Sequence, residues 1–411
     1  MPRPRCHAVG VSTAQRTAVI VGAGVTGLST AYQLARVGYG RVIVFDKDGV
    51  GAGSSRRAAG ITTGLLWSET GIRARQVATR LFRELSRELP GYVFHNEHGC
   101  LNLFDERLWP ARQALLPLYD RLLAPYQVLS PEEIQRRWPA LRVPKGFLGL
   151  HDPLGGYSEP AEYLAGLRER LGALGVEIRE HTTVDGLELR GDRVVGVRTS
   201  AGVIAADAVV AAAYAWTLPF LASAGITLPA KTFVHQRYVS EPLAAPPPLP
   251  PVNADPFGGY LRPAHGGRIL LGVETPDRPE FRVEQLGFRL DELTDREGLR
   301  EAAVERFRDF FPPLASVRWE SAHVGLLSFS LDGEPILGPV PGFAGLFVGL
   351  CFHSGGFSYS PASGRFLAEY VAHGAPSVDL TAFRPGRNPA DETAAYLAAT
   401  LTQGQSFRRR H

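Results

Sequence analysis

A glycine-rich turn near the start of the sequence has the residue types and spacing that bind a dinucleotide. Gly22, Gly24 and Gly27 follow an apolar run at Thr17–Val21, which predicts a buried parallel strand, and precede a helical pattern over 28–37. The first glycine permits a tight turn, the second lets a pyrophosphate approach the backbone, and the third allows close helix–strand packing. The helix N-terminus attracts phosphate charge.

An acidic residue completes this pattern. Asp46 follows a second apolar strand, Arg41–Phe45, and lies 24 positions after Gly22. A carboxylate at the end of that strand accepts hydrogen bonds from ribose hydroxyls. Lys47 either contacts the adenosine side or is simply exposed. The residues predicted to bind the dinucleotide here are Gly22, Ala23, Gly24, Val25, Thr26, Gly27, Asp46 and Lys47.

A second glycine-rich turn lies near the far end of the sequence. The pattern predicts a strand over 345–350 and a helix over 360–373, with Ser360 as its cap and Pro361 in its first turn. The first turn alone does not separate NAD from FAD. The second one favours FAD, because an elongated flavin dinucleotide needs binding groups remote from its phosphates. The positive end of the helix would stabilise negative charge developing on the flavin as N5 accepts a hydride.

Composition and charge narrow the class of protein. The chain has 411 residues, 45% hydrophobic and 21% charged, which excludes a disordered, collagen-like or disulfide-stapled protein. Its 44 basic and 41 acidic side chains are too balanced to favour a nucleic-acid partner. Cys6, Cys100 and Cys351 are too scattered for disulfides or a zinc site. We therefore expect no metal, no membrane span and a reduced, cytoplasmic location.

The elements that position the two turns predict two interleaved domains. Residues 1–16 lack an apolar segment and predict a flexible N-terminus rather than a secretory signal, although their acid-free composition also resembles a transit peptide weakly. Helices are expected at 72–89, 108–123, 161–174, 301–311 and 391–401, an antiparallel meander over 184–213, a proline-rich loop at 242–251, and a solvated basic end at 408–410. The predicted domains are a dinucleotide domain (17–95, 150–218 and 322–378), a substrate domain (96–149 and 219–321) and a tail (379–411) with one short helix.

Six motifs in order give the chain a resemblance to a known family. They are VGAGVTG at 21–27, GSSRRAAGI at 53–61, GYSEP at 156–160, YLRP at 260–263, DGEPILG at 332–338 and FHSGGFSYSPASG at 352–364. Over about 17–378 the chain resembles the D-amino-acid-oxidase-like FAD-dependent oxidoreductases. The similarity is greatest to the branch of sarcosine and dimethylglycine oxidoreductases, glycine oxidase and dye-linked proline dehydrogenase.

The resemblance implies a fold and a reaction. The fold is α/β, with an FAD-binding Rossmann-like domain of the glutathione-reductase type interleaved with an α+β substrate domain built on an antiparallel sheet. The reaction is oxidation of a C–N bond of a secondary or tertiary amine, or of an N-substituted amino acid, by hydride transfer to flavin N5.

The resemblance also implies further FAD-binding residues. They are Gly53, Ser54, Arg57, Ala58, Ala59, Gly60, Val184, Ala212, Trp216, Gly333, Ser354, Gly355, Gly356, Phe357 and Ser358. Arg57 stands where dimethylglycine-type enzymes carry a histidine that binds FAD covalently. Residues 328–331 lack the cysteine used by the cysteinyl-flavin branch. We therefore expect noncovalent FAD.

Candidate substrate residues come from the same comparison of motifs. Tyr260 and Arg262 match a strand that faces the substrate, where an arginine can bind a carboxylate and a tyrosine can orient an amine. A salt bridge within the sheet is the alternative for Arg262. His353 lies in the second glycine turn and is either ligand-facing or structural. His235, Gln236 and Arg237 rank below Tyr260.

The chain departs from the family at the expected substrate clamps. Leu327 and Ser358 replace an arginine and a lysine of related oxidases, and the strand at 268–274 lacks their oxygen-activating lysine. Family members also usually have glycine at Tyr214, Cys351 and Ser354. The carboxylate-binding group, if any, and the electron acceptor, oxygen or a redox partner, therefore stay open. Alternative functions are a D-amino-acid or glycine oxidase, an FAD-containing scaffold or assembly factor, and an NAD-binding dehydrogenase.

Overall fold

The computed structural model describes residues 16–406, so the predictions for 1–15 and 408–410 lie outside the described residues. Within that range, the strands in chain order are β1 (Thr17–Val21), β2 (Arg41–Phe45), β3 (Ile61–Thr62), β4 (Phe94–His95), β5 (Cys100–Phe104), β6 (Gln127–Leu129), β7 (Leu148–Asp152), β8 (Gly156–Ser158), β9 (Glu177–Arg179), β10 (Val184–Arg190), β11 (Arg193–Thr199), β12 (Gly202–Ala205), β13 (Ala208–Ala211), β14 (Ala230–Ser240), β15 (Val252–Ala254), β16 (Gly259–Ala264), β17 (Arg268–Val273), β18 (Trp319–Ser330), β19 (Ile336–Pro339) and β20 (Leu346–Leu350). The α-helices are α1 (Val25–Arg36), α2 (Glu69–Glu88), α3 (Trp109–Gln113), α4 (Leu116–Arg121), α5 (Pro131–Arg137), α6 (Pro160–Ala173), α7 (Thr217–Ala222), α8 (Leu299–Phe307), α9 (Gly356–His373) and α10 (Ala390–Ala398).

A six-stranded sheet forms the centre of the first half of the fold. Its order is β19-β20-β13-β1-β2-β9, and every pair is parallel except β19–β20. Residues of β1 alternate between two cores: Ala18 and Ile20 pack with α1, α2, α6 and α9, whereas Val19 and Val21 pack with the meander β10-β11-β12. Helices, parallel sheet and antiparallel meander thus form three layers, which confirms the predicted FAD-binding architecture.

An eight-stranded sheet forms the second half. Its order is β18-β14-β17-β16-β15-β5-β7-β6, and every pair is antiparallel except β15–β5. The predicted domain boundaries at 149/150 and 321/322 fall inside β7 and β18, so this sheet extends past both. The long pairing of β14 with β18 joins segments about ninety residues apart, which no local pattern reveals.

Two predicted helices differ from the structure. Helix α9 begins at Gly356, within the motif at 352–364. Ser360 is therefore not the N-cap of this helix, and Pro361 lies inside it. Proline prefers the first turn of a helix, but here one more helical turn precedes Pro361. The side chains of Phe357 and Tyr359 in that turn are buried, and their packing stabilises it. The helix expected at 108–123 is divided into α3 and α4, each with a proline in its first turn.

Three features of residues 16–406 concern membrane spans, metal sites and cysteines. Among the described helices, none has the length and hydropathy needed to cross a membrane. No cluster of three metal-ligating side chains occurs within residues 16–406. Cys100 and Cys351 are both buried and unpaired thiols.

Candidate functional site

A cavity lies between the two large sheets. Its empty space, counted together with the open solvent at its mouth, is about 2140 Å³. Its walls include the β1–α1 turn, the loop after β2, the segment Gly53–Ile61, the N-terminus of α9, and residues of β14, β16 and β18. Strands β1 and β20 both pair in parallel with β13, so their carboxyl ends lie at one edge of the sheet. Both glycine turns therefore open into the same cavity.

The first turn is a cradle that only glycine fits. Gly22 has φ +109°, and a Cβ there would lie 2.7 Å from the carbonyl oxygen of Ala212. A Cβ on Gly27 would lie 1.9 Å from the carbonyl oxygen of Gly22. Ser55 accepts a hydrogen bond from the Val25 N–H at 3.0 Å and orients the loop around the helix N-terminus. This geometry fits the pyrophosphate of a dinucleotide.

Asp46 joins this turn to the end of β2. Its Oδ2 accepts a hydrogen bond from Ala23 N at 2.8 Å, and its Oδ1 accepts from Asp48 N and Gly49 N at 2.9 Å each. Asp46 also lines the cavity. Since a carboxylate offers about four acceptor sites, it can hold the turn and still accept from a ribose hydroxyl.

Lys47 and Trp216 line the cavity and position a distant segment. Lys47 Nζ donates to Asp48 Oδ2 at 2.5 Å and to the carbonyl oxygen of Phe288 at 2.8 Å, and it lies 5.0 Å from the Trp216 ring. Trp216 Nε1 donates to the same carbonyl oxygen at 2.9 Å. The predicted adenosine contact of Lys47 stays a prediction.

The loop that precedes β3 lines the middle of the cavity. Arg57 folds back on it, because its guanidinium donates to the carbonyl oxygens of Ala52 and Gly53 and to Asp291 at 2.6 Å. Gly60 has φ +73°, and a Cβ there would lie 2.1 Å from the Ser158 carbonyl oxygen. The Arg57 guanidinium is thus already bonded to groups of the protein itself.

Ser328 of β18 lies beside the second glycine turn and connects the eight-stranded sheet to the segments that follow β13 and β20 of the six-stranded sheet. Its N–H donates to the Tyr214 hydroxyl at 2.7 Å, its carbonyl accepts from His353 N at 3.1 Å, and its Oγ accepts from Cys351 N at 3.2 Å. All three partners have positive φ, between 52° and 57°. Glycine adopts this backbone conformation more easily than Tyr214, Cys351 or His353 does, so the surrounding contacts must hold these residues in it. His353 lines the cavity, and its Nε2 lies 3.3 Å from Ser330 Oγ, which holds the ring in place.

The opposite wall belongs to the eight-stranded sheet. The Tyr260 hydroxyl lies 2.9 Å from His235 Nε2. Gly272 pairs with Tyr260 across the sheet, and a Cβ there would lie 2.0 Å from ring carbon Cζ, so glycine lets the ring lie over the strand. Burial raises the pKa of Tyr260 to about 12, which keeps the phenol protonated. Burial, with Arg237 and Arg57 nearby, lowers the pKa of the wall residue His323 to about 4.

Arg262 does not line the cavity, contrary to expectation. Its guanidinium binds both carboxylate oxygens of Glu159 at 2.7 and 3.0 Å and also donates to the carbonyl oxygens of Ala59 and Pro263. The side chain is 1% exposed. Tyr260 and Arg262 share a face of β16, but Glu159 at the start of α6 draws the arginine out of the cavity. Arg262 therefore forms a salt bridge, but its partner Glu159 lies at the start of α6 rather than within the sheet.

The remaining predicted residues divide into two groups. Gly333 lies in the β18–β19 turn, while Ala23, Gly27 and Gly355 support the wall without lining it. The predicted residues that do line the cavity are Gly22, Gly24, Val25, Thr26, Asp46, Lys47, Gly53, Ser54, Arg57, Ala58, Ala59, Gly60, Val184, Ala212, Trp216, Tyr260, His353, Ser354, Gly356, Phe357 and Ser358.

Sequence reasoning missed two buried polar residues of the wall. Arg75 lies on α2 and is 1% exposed, and Gln403 follows α10 and is 0% exposed. Arg75 stands three positions after Ile72 and seven before Phe82, on the buried face of an amphipathic helix. A charged residue on the apolar face of a helix is unusual, and this feature of the sequence could have identified Arg75 as a candidate site residue. Nothing in the local pattern around Gln403 indicates that it reaches the cavity.

The chain matches known proteins over most of its length. A family model described as FAD dependent oxidoreductase matches residues 17–370. The chain is 28% identical to 4-methylaminobutanoate oxidase (formaldehyde-forming) of Paenarthrobacter nicotinovorans, over 89% of this chain and 44% of that protein. It is 28% identical to sarcosine oxidase subunit beta of Rhodobacter capsulatus, over 92% of this chain and 91% of that one.

Solved structures share the fold. L-proline dehydrogenase from P. horikoshii superposes with a TM-score of 0.83 at 23% identity, over 91% of this chain and 97% of that one. The chain spans less than half the length of several curated relatives, including the 4-methylaminobutanoate oxidase. Since the family model covers most of the described residues and its cofactor suits the glycine cradle, this chain belongs to the DAO family of FAD-dependent oxidoreductases.

Proposed function

We propose that this protein oxidises a C–N bond of a secondary or tertiary amine or of an N-substituted amino acid, with FAD bound noncovalently. The observation that carries the proposal is the convergence of two glycine turns, from β1 and β20, on one cavity faced by a second sheet. The similarity to a 4-methylaminobutanoate oxidase and to a sarcosine oxidase subunit supports the amine class of substrate.

The two ends of the cavity would hold different parts of the cofactor. The turn at Gly22–Gly27 and Asp46 would hold the pyrophosphate and ribose, and the N-terminus of α9 at Gly356 would face the flavin ring. Bound FAD would supply the hydride acceptor. Noncovalent binding is supported by Arg57, whose guanidinium is bonded to its own loop and to Asp291.

The protein side chains would orient the amine. Tyr260 and His235 form a hydrogen-bonded pair on the wall formed by the eight-stranded sheet, and Tyr260 stays a phenol at neutral pH. The phenol oxygen of this pair can also hydrogen-bond to a substrate amine. Positioning by such a fixed wall is enough for a reaction that needs no further acid–base residue.

A spectrum of the purified protein followed by acid precipitation tests the cofactor. We expect a yellow protein whose colour moves into the supernatant when the polypeptide is precipitated. Colour retained in the pellet would contradict noncovalent binding. A colourless protein that takes up NAD but not added FAD would contradict the whole proposal.

A panel of amines tests the reaction. We expect sarcosine, dimethylglycine, 4-methylaminobutanoate or proline to bleach the yellow band without oxygen, and admission of air to show whether oxygen restores it. Stable colour with every member of the panel would favour an FAD-containing scaffold instead.

A further inference from the structure

A buried arginine in the cavity wall has unpaired hydrogen-bond donors. Arg75 projects from α2, is 1% exposed and lines the cavity. Its guanidinium carbon lies 4.1 Å from the centroid of the Tyr359 ring. Its Nε and Nη1 are buried and have no hydrogen-bond partner among residues 16–406. Two of its donor groups are therefore available to a ligand.

No carboxylate of the described chain neutralises this cation. Asp152 is the nearby acid, but its oxygens accept hydrogen bonds from Gly64 N, Thr63 Oγ1, Leu154 N and Gly155 N. Burial lowers the pKa of Arg75, yet a guanidinium stays charged at neutral pH. A buried charge without a counterion is strongly destabilising, which makes this a place for an anionic ligand.

We propose that Arg75 binds the carboxylate of the substrate, so that the amine oxidised is an amino acid. This step rests on the proposed function. The cofactor pyrophosphate has its own cradle at Gly22–Gly27, on the other glycine turn. Arg75 instead adjoins Gly355, where a Cβ would lie 2.3 Å from Nη2, so the glycine makes room for the guanidinium. A planar guanidinium matches the two oxygens of a carboxylate.

A titration of the FAD-loaded enzyme tests this assignment. The probes are methylthioacetate, an unreactive carboxylate, and its neutral primary amide, and the readout is the perturbation of the flavin spectrum. We expect the wild type to bind the carboxylate more tightly than the amide. Arg75→Gln should weaken carboxylate binding by about 30-fold or more, with little change for the amide. Arg75→Lys should retain part of the preference. Arg80→Gln, an exposed site on the same helix, is the matched control.

Three results would overturn the assignment. They are unchanged carboxylate binding in Arg75→Gln, a wild-type preference for the amide, and a shifted flavin potential in Arg75→Gln with the carboxylate preference intact. The last result would assign Arg75 to the cofactor. Failure of the proposed function is a separate outcome, because it would appear as wild-type flavin that no amine reduces.

The segment after α10 carries a second, independent inference. The family match ends at residue 370, yet the chain returns to the cavity at Gln403. Gln403 N donates to the Arg278 carbonyl oxygen at 2.7 Å, and Gly404 N donates to that of Pro276 at 2.8 Å. Buried Lys231 donates to the Ala399 carbonyl oxygen at 2.9 Å and fixes the same segment.

The orientation of the Gln403 amide follows from its neighbours. The Thr275 backbone N–H lies 3.1 Å from Oε1 and can only donate, so the oxygen must face Thr275. Nε2 is then the free end of a side chain that is 0% exposed, and no described residue accepts from it. We infer that Gln403 donates a hydrogen bond to the substrate and contributes to specificity from outside the family core.

Substitutions at Gln403 test this role through binding rather than stability. Gln403→Glu replaces the donor with an acceptor of the same shape, and Gln403→Leu removes both functions. We expect both to raise KM about 5- to 30-fold, with the flavin content unchanged, since each leaves a substrate acceptor unpaired. Gln405→Ala changes an exposed neighbour and serves as the control. Unchanged KM and unchanged probe affinity in Gln403→Glu would refute the inference.

Discussion

His323 shows how the cavity controls charge at the level of one residue. Burial is the main cause of its lowered pKa, about 4, and the cations of Arg237 and Arg57 lower it further. In the unfolded chain the same group titrates near its ordinary value of 6.5. Between these two values the unfolded state binds more protons. The free energy of unfolding must therefore fall as the pH decreases from about 6.5 to about 4, and this contribution levels off below that.

His323→Asn isolates this contribution. Denaturant unfolding at pH 7 and at pH 4.5 should show a smaller loss of stability for the variant than for the wild type, because the variant has no half-buried imidazole to protonate. The difference between the two proteins removes the effect of other titrating groups. An identical loss in both would contradict a neutral, half-buried histidine.

Asp46 is the residue on which cofactor retention should depend most. Asp46→Ala removes the acceptor for Ala23, Asp48 and Gly49 and also the proposed acceptor for a ribose hydroxyl. We expect the purified variant to carry little FAD, measured as the ratio of flavin to protein, and to need added FAD for colour. Asp309→Asn, at an exposed site on the other half of the fold, should keep the wild-type ratio. Full FAD content in Asp46→Ala would be inconsistent with this site.

At the scale of elements, the packing of α1 on β1 depends on Gly27. A methyl group there would lie 1.9 Å from the Gly22 carbonyl oxygen, so Gly27→Ala must separate the helix from the strand. We expect a lower Tm and loss of FAD. Gly172→Ala is a matched control, because Gly172 lies within α6 with nothing within 4 Å of its added carbon. That change should be neutral or slightly stabilising. Equal effects of the two substitutions would refute the packing argument.

The Arg262–Glu159 pair ties β16 to the start of α6. Arg262→Met leaves a buried carboxylate without its partner, so the free energy of unfolding should fall by about 3–5 kcal/mol. The carboxylate preference in the probe titration should survive, because Arg262 does not line the cavity. Adding Glu159→Gln should recover part of the stability. Lost preference at unchanged stability would instead restore Arg262 as the substrate clamp.

Sequence patterns predicted the structure correctly where the residues of a single strand, turn or helix determine it. The β1–α1–β2 unit follows from hydrophobic periodicity and glycine spacing, and its strand bounds agree with the structure. Ser360 and Arg262 show where such prediction fails. Tertiary packing starts α9 before Ser360, although Ser360 is a favourable N-cap. Glu159, distant in the sequence, binds the Arg262 side chain. The hydrogen bonds between Ser328 and three residues of positive φ depend on β18 lying beside the six-stranded sheet, which sequence spacing does not encode.

At the scale of the whole molecule, the cavity is a product of the two sheets together. The first sheet supplies both glycine turns and the second supplies Tyr260, His235 and His323. Arg75 and Gln403 are more than three hundred positions apart in the sequence, and only the tertiary structure brings both to the cavity. This is why the glycine turns at the cavity could be predicted from the sequence, whereas the positions of Arg75 and Gln403 required the structure.

Anaerobic titration of the purified yellow protein with N-methylated amino acids is the most direct measurement of the central claim. We expect the flavin band to disappear with one equivalent of a substrate that carries both an amine and a carboxylate. We also expect the matching amine without a carboxylate to be a much poorer reductant. A flavin that stays oxidised with every amine, or a protein that holds no flavin, would contradict it.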